Sequence, residues 1–454
     1  MITLHVGIDD TDSPRTGCTT YVASLIVPKL LSLDASFIDY PNLIRLNPNV
    51  PWKTRGNGAL CLRFKCDKAC VDEAKAIIVN LVEKNSDLDH PGTEPGIVFF
   101  PSETIPSQLR AFSKQAIQGI VKMKDALTLA SSLSAEAIGF KTGRGIIGAL
   151  AAVGETLVGD HTYELIAYRV PSNRGTKRQV DKESVFEMDK KTAPLTYNNV
   201  DHESGRVLIT PHGPDPILYG IRGQTADAVK KAHLMVRSLE PVERWTIFRT
   251  NQGTDAHLRS IPSIKNVEPY HPVIVKGTVS RPPRIIPRRH VVFSIADGNG
   301  QIDCAAYEPT GDLRRKAAEL IVDDSFEAYG GVRPASGNRP VTVNLEKFRV
   351  LHLAEKLAFT NPLCPRCGRR LGSMGAGKGF RCEKCGFRSH DIRKEAKVIS
   401  RDLEEEKLYV TSPRSQRHLT KPLSRYGLEN NGQPVRMRRQ WFWVHDKLER
   451  GRSE

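Results

Sequence analysis

Leu4, Val6 and Ile8 alternate with other residues and run straight into Asp9-Asp10-Thr11-Asp12-Ser13, so a strand with a buried face ends in three carboxylates within four positions. Like charges at that density repel, and a strand tip carrying them calls for a cation. Hard Mg²⁺ is held by one or two carboxylates plus substrate phosphates, which makes the tip a candidate nucleotide–metal site. Val22, Leu25, Ile26 and Leu30 then recur at helical spacing, so a helix is expected to open near Thr19 and Thr20 with backbone N–H groups facing an incoming phosphate. Strand, acidic loop and helix start together suit phosphoryl chemistry. A solvated Asp-rich turn followed by an ordinary Thr N-cap gives the same pattern, and spacing alone does not separate the two.

A chain of 454 residues should form several domains, because single cores rarely exceed about 250–300 residues. No apolar run approaches the ~18 residues that span a membrane, and Met1-Ile2-Thr3-Leu4 leads directly into the first strand without a signal peptide. The 67 Lys and Arg outnumber the 51 Asp and Glu, a net charge of +16 that implies a polyanionic partner, nucleic acid before membrane. The excess of arginine after about residue 280 places that footprint mainly in the C-terminal half. Nine cysteines, four of them in two CxxC knuckles, fit a reducing cytoplasmic setting and a metal site instead of a disulfide framework.

Further along, Arg45-Leu46-Asn47-Pro48 precedes Lys53-Thr54-Arg55-Gly56-Asn57-Gly58-Ala59, two cations and two glycines just before a strand near 59–65. Such a loop lets backbone amides approach a phosphate while Lys53 and Arg55 supply charge; a Gly-rich hairpin with solvated cations reads alike. A helix is expected near 68–84 and helical periodicity continues from about 107 to 132. Gly139-Phe140-Lys141-Thr142-Gly143-Arg144-Gly145 opens a run of small apolar residues read as a helix buried on a sheet, followed by a strand over 162–170. Strands are expected at 206–210, 217–221 and 245–249, with a helix near 224–238 and polar clusters at the strand ends, where α/β sheets place ligands.

From about residue 270 the pattern turns to strands: 273–279, 291–296, 302–307, then a helix over 313–321 and strands near 326–330 and 340–353. That is the element order of an OB-fold, a barrel used on single-stranded nucleic acid, and Arg281, Arg284, Arg288 and Arg289 crowd its first loop. Cys364-Pro365-Arg366-Cys367, fourteen residues, then Cys382-Glu383-Lys384-Cys385 has the spacing of a tetrahedral Cys₄ zinc ribbon, closed to substrate and therefore structural. Arg369, Arg370, Lys378, Phe380 and Arg381 between the knuckles suit phosphate and base contact. The tail 396–454, with Arg414, Arg417, His418, Lys421, Arg425, Arg436, Arg438 and Arg439, is read as a basic extension that contacts RNA.

Taken together, Gly7-Ile8-Asp9-Asp10-Thr11-Asp12-Ser13, Cys18-Thr19-Thr20, Arg45-Leu46-Asn47-Pro48, the Lys53–Ala59 loop, Gly143-Arg144-Gly145 and the Cys₄ ribbon resemble the archaeal tRNA(Ile2) 2-agmatinylcytidine synthetases from residue 1 to about 430. The resemblance implies an ATP-dependent ligase that joins agmatine to C2 of the cytidine at the anticodon wobble position, position 34, after phosphorylating its 2-oxo group, so that the anticodon reads AUA. It implies a multidomain α+β architecture: a kinase-like α/β domain, a ferredoxin-like domain, the OB-fold and the zinc ribbon. The expected boundaries are 1–95 plus 201–264 for a discontinuous kinase-like domain, 96–200 for the ferredoxin-like one, 270–355 for the OB-fold and 360–390 for the ribbon. By the same resemblance Asp9, Asp10 and Asp12 hold Mg²⁺ and ATP, Thr19 is the threonine that becomes phosphorylated, and Lys53, Arg55, Gly56 and Asn57 lie at the phosphates. Agmatine is a dication, so acids near strand ends, Asp201, Glu203 and Asp215, are its candidate partners; Arg284, Arg288, Lys378 and Arg417 are candidates for tRNA. Structural Zn²⁺ is assigned to Cys364, Cys367, Cys382 and Cys385. No Walker A pattern is present, so this is not a P-loop enzyme. The competing reading is a non-enzymatic OB-fold and zinc-ribbon nucleic-acid binder, which explains the charge and the cysteines but leaves the acidic strand tip without a role.

Overall fold

The computed structural model describes residues 1–432 and 437–445. The alternating apolar residues at the start do form a buried strand, β1 (Ile2–Asp9), and a mixed sheet of eleven strands grows around it. After α1 (Thr19–Leu31) come β2 (Ser36–Phe37), β3 (Asn42–Arg45), β4 (Gly58–Cys66), α2 (Val71–Asn85) and β5 (Gly96–Pro101). The helical stretch expected over 107–132 is two helices, α3 (Ser107–Gln118) and α4 (Met123–Ser132), broken at Gly119 where the backbone is extended. Next come β6 (Glu136–Gly139), α5 (Gly145–Gly154), β7 (Thr162–Arg169), α6 (Lys182–Thr192), β8 (Thr196–Tyr197), a small pair β9 (Val200–Asp201) and β10 (Arg206–Val207), β11 (Ile217–Gly223), α7 (Ala226–Met235) and β12 (Val242–Thr250).

The strand order β6-β5-β1-β4-β3-β12-β7-β11-β8 is antiparallel except where β3 meets β12, and that one parallel contact (Asn42 with Arg249, Leu43 with Thr250) joins the two halves. This pairing runs against the expected grouping of 1–95 with 201–264 around an inserted 96–200. β5 and β6 extend the sheet of β1, whereas β7 pairs with β11 and β12. The reason is packing. The small residues of α5 let it lie directly on β1, where a Cβ at Gly7 would fall 2.0 Å from the Ala149 carbonyl oxygen, and β5 pairs beside β1 under the same helix. Helices α1, α2, α6 and α7 cover one face of the sheet, and α3, α4 and α5 cover the other face of the first half only. The second half therefore leaves one sheet face free of helix, and Glu164, Ile166, Gly220 and Arg222 share it.

The C-terminal half has its own core. Strands β13 (Arg259–Ser260), β14 (Pro272–Ile286), β15 (His290–Ala296) and β16 (Gln301–Ala306) precede α8 (Asp312–Ala317), β17 (Ser325–Arg333) and β18 (Thr342–His352). The pairings β14-β15-β16-β18-β17 return to β14 and close a circuit. Leu357–Thr360 and Glu395–Val398 form a two-stranded stalk that carries the cysteine knuckles, and Leu408–Val410 returns to pair with β18. The described part of 396–454, expected as a basic extension that contacts RNA, does not project from the molecule. It folds back over the first sheet, where Phe442–Val444 pairs with β12 and Trp441 packs on Phe37 and Tyr40. Its cations are used internally: Arg425 is buried against Asp160, Lys421 reaches the same carboxylate, and Arg414 meets Asp201 and Glu203. Arg436 lies outside the described residues. Among the described residues no helix is long and apolar enough to cross a membrane.

Candidate active site

The acidic tip of β1, the first turn of α1, the Lys53–Gly58 loop, the start of α5 and the helix-free face of β7 and β11 enclose a cavity of about 640 Å³. Asp9 sits at the end of β1 against α5, so close that a Cβ at Gly148 would fall 1.8 Å from Asp9 Oδ2. Burial raises the Asp9 carboxyl well above the usual carboxylate range, and the neighbouring Asp10 and Asp12 charges push it the same way. Asp10 is also raised by burial, although Arg144 Nη2 donates to its Oδ2 at 2.9 Å. Asp12 accepts from Thr54 Oγ1 at 2.9 Å and pairs with Arg55 Nε at 3.4 Å. Asp10, Arg55 and Asn57 all have positive φ, and such conformations in non-glycine residues gather at functional sites.

Thr19 is the first residue of α1, and its Oγ1 receives the Thr11 hydroxyl at 3.0 Å at the cavity wall. Arg55 ties three parts together, donating to the Ser13 and Thr16 carbonyls and reaching Asp215 Oδ2 at 3.5 Å. Lys53 Nζ donates to the Arg55 carbonyl at 2.8 Å, and burial lowers its pKa, with Arg417 adding to the effect. Gly56 and Asn57 line the same wall. The nucleotide-site candidates named from the sequence are thus brought together.

The other candidates divide. Asp215 lines the cavity, buried and paired with Arg178 at 3.0 Å. Asp201 and Glu203 do not line it: Asp201 accepts from Arg414 Nη1 at 2.7 Å, and Glu203 from Arg414 and Arg315 at 2.9 Å each. They hold the returning tail and the C-terminal half against β9. Arg284 lies on β14, which runs longer than expected, and Arg288 on the short turn after it; both are exposed and far in sequence from any cavity wall, as is Lys378 on the ribbon. Arg417 lines a second cleft beside the first and donates to Asn49 Oδ1.

Several lining groups were missed. Arg144 belonged to a recognised motif, yet only the fold shows its contact with Asp10. Glu164 hides in a strand, where Arg222 Nε donates to it at 3.2 Å and Gln252 Nε2 also binds it. His418, from the returning tail, is seated with Nδ1 2.9 Å from Gln252 Oε1 and 2.9 Å from Arg222 Nη2. Burial holds it neutral, and the Arg45, Arg222 and Lys53 charges act in the same direction. No local sequence signal marks it.

The four knuckle thiols converge, with all Sγ atoms within 4.8 Å of one another and the Cys364–Cys385 and Cys367–Cys382 pairs at 3.5 Å. Zn–S bonds of about 2.3 Å at tetrahedral angles require spacings close to these, so the set fits zinc. Among the described residues the carboxylates Asp9, Asp10 and Asp12 do not converge in this way. Their arrangement suits a cation that also takes phosphate oxygens.

Comparison with known proteins agrees with these features. Family models described as the TiaS TCKD domain, the TiaS FLD domain and the TiaS C-terminal zinc ribbon domain match residues 5–142, 143–257 and 361–403. The tRNA(Ile2) 2-agmatinylcytidine synthetase TiaS of Thermococcus sibiricus is 43% identical over 423 residues, covering 93% of this chain and 96% of that protein. The enzyme of the same name from Staphylothermus marinus is 42% identical over 457 residues, 98% of each chain. A crystal structure of a TiaS–tRNA(Ile2)–ATP complex superposes with a TM-score of 0.84 at 39% identity, covering 96% of this chain and all of that one; a complex with tRNA(Ile2), AMPCPP and agmatine gives 0.82 at 37%. With that likeness along nearly its whole length, the chain belongs to the tRNA(Ile2) 2-agmatinylcytidine synthetase family.

Proposed function

We propose that the protein joins agmatine to C2 of the wobble cytidine of tRNA(Ile2) at the expense of ATP, allowing AUA to be decoded. The observation that carries this reading is the cavity in which the acidic tip of β1, Arg144 and the Lys53–Gly58 loop face one another, in a chain of this family. Cytosine O2 attacks a phosphoryl group of ATP, making a C2–O–P linkage as the P–O bond joining that phosphoryl to the rest of the nucleotide breaks and the remainder leaves with the bridging oxygen. The primary amine of agmatine then attacks C2, the C2–O bond breaks, phosphate leaves with the oxygen, and the amine loses a proton. A neutral oxo group leaves poorly and a phosphate leaves well, so ATP drives the exchange.

In this reading Asp9, Asp10 and Asp12 would hold Mg²⁺, which supplies charge neutralisation at the phosphates. Asp9 supports it best: its carboxyl is burdened by burial and by two like charges, and a cation relieves both. Lys53 and Arg55 stabilise charge on the transferred phosphoryl, Gly56 and Asn57 shape the loop, and Thr19 stands at the α1 N-terminus where phosphorylation is expected. For agmatine, Asp215 and Glu164 replace Asp201 and Glu203 as the acids at hand, because they line the cavity. The β14–β18 circuit is read as an OB-fold that tracks RNA with Arg284 and Arg288, and the ribbon with Lys378 as a second docking element. The 1–142 and 143–257 segments are read as the kinase-like and ferredoxin-like domains, following the strand pairing. The binder-only reading loses ground because it gives no work to the buried carboxylates. The test is ATP turnover. Phosphate release should require both tRNA(Ile2) and agmatine, and Asp9→Asn should abolish it while tRNA binding persists; turnover unaffected by Asp9→Asn sinks the assignment.

A further inference from the structure

Behind the Lys53–Gly58 loop lies a second cleft of about 420 Å³, continuous with the main cavity through Arg45, Lys53, Arg55 and His418. Four of its lining residues are cations, the fourth being Arg417, and none is an acid. Arg55 has Asp12 and Asp215 within 3.5 Å, and Arg417 has Glu346 at 3.7 Å. Among the described residues no carboxylate comes within ion-pair distance of Lys53 or Arg45. The Arg45 guanidinium lies across Gly56 and Gly58, where a Cβ at either position would be 2.8 Å from Nη1, and its Nε is buried without a hydrogen-bond partner. Among the described residues the only hydrogen bond of Lys53 Nζ goes to the Arg55 carbonyl. Burial depresses the pKa of both groups, bringing Arg45 down to about 10, and His418 between them stays neutral. Two positive groups are half-buried here and short of partners, an arrangement that an incoming anion would relieve.

We propose that this cleft seats a single phosphodiester group of the RNA chain beside the reacting cytidine, through Arg45 and Arg417, with Lys53 at the passage to the main cavity left to the ATP phosphates, while the base enters the main cavity. The inference rests on the tRNA reading given above. A metal-bound polyphosphate needs carboxylates for its cation, and those stand on the other side of the loop. A dication such as agmatine is repelled from this cleft. A diester carries one negative charge and no metal, and a lining of cations and N–H donors is its complement.

The test uses the full-length protein with Arg417→Gln, with Arg417→Lys as the charge-keeping control and a thermal melt to verify folding. Binding of tRNA(Ile2) and of ATP is measured separately across salt concentrations. Arg417→Gln should weaken tRNA binding about fivefold to tenfold and lower the salt slope by about one, leave ATP affinity unchanged, and be largely rescued by Lys. Ethylating the phosphates that flank the cytidine should weaken binding to the wild-type protein and add little to the variant. Loss of ATP affinity with tRNA binding intact would assign the cleft to ATP and overturn the proposal, as would ethylation that harms both proteins equally. Wild-type protein that binds tRNA in this salt-dependent way without modifying it would overturn the functional reading alone.

Discussion

Gly148→Ala separates fold from chemistry at one atom. In an exposed helix this change is stabilising by about 1 kcal/mol, because alanine favours helix and glycine does not. Here the new Cβ would lie 1.8 Å from Asp9 Oδ2 and 2.6 Å from its Cγ, with Leu46 Cδ1 at 3.0 Å. Real Cβ atoms essentially never come within 3.0 Å of a neighbour, so the carboxylate must retreat by more than 1 Å. It is the free end of a side chain, and the backbone of β1 and α5 need not move. The fold should therefore survive with a melting temperature within a few degrees of wild type, while a displaced carboxylate costs about 100-fold in kcat, or roughly 2.7 kcal/mol of transition-state stabilisation. Two neighbours calibrate the result. Gly7→Ala places its Cβ 2.0 Å from a backbone carbonyl and should not fold, whereas Gly159→Ala meets nothing within 4 Å and should be silent. The assay is steady-state agmatine conjugation beside a thermal melt. Wild-type kcat in folded Gly148→Ala would refute the placement of Asp9 in the chemistry, and collapse like that of Gly7→Ala would refute the claim that only a side chain must yield.

Further outcomes follow from the same contacts. The Asp9 carboxyl is raised, so the folded chain holds more protons than the unfolded one above the ordinary carboxylate range, and stability falls as pH rises through that window. Asp9→Asn should accordingly raise the melting temperature at pH 8 more than at pH 5 while removing activity, a trend that melts across pH will check. Arg401 is buried and doubly bonded to the fully buried Asp324, so Arg401→Met should cost about 3–5 kcal/mol in denaturant unfolding of the C-terminal half. Chelating the ribbon zinc, or Cys382→Ser, should release one equivalent of metal and weaken tRNA binding while the near-ultraviolet signal of the main core persists, because the ribbon has its own small cluster. Asp215→Asn should raise the KM for agmatine, whereas Asp201→Ala should loosen the tail, seen as faster proteolysis near residue 414, with little change in that KM.

The strand tip, the Lys53–Ala59 loop, the Gly143-Arg144-Gly145 turn and the knuckles were legible because each is a local run whose spacing fixes its geometry. β1, β4, α5, β7 and the β14–β18 order were also legible from apolar periodicity. The grouping of the N-terminal strands was not, since the choice of β1 as neighbour for β5 depends on how closely α5 settles on Gly7. Composition also did not show where the tail lies. Positive charge announces that acids or phosphates are needed, but not whether Asp160, Asp201 and Glu203 of the same chain already supply them. Glu164 and His418 stayed hidden for the same reason: one is a polar residue in an apolar strand, and the other meets Gln252, Gly253 and Arg222, all more than 150 residues away in sequence.

The central claim is tested most directly by the mass of one nucleoside. Purified protein is incubated with unmodified tRNA(Ile2), ATP, Mg²⁺ and agmatine, with controls lacking agmatine or ATP, and the wobble nucleoside is isolated for mass spectrometry. The account predicts a cytidine heavier by agmatine less one water, formed only in the complete mixture and not by Asp9→Asn. An unchanged cytidine with tRNA tightly bound would contradict it and leave a nucleic-acid binder.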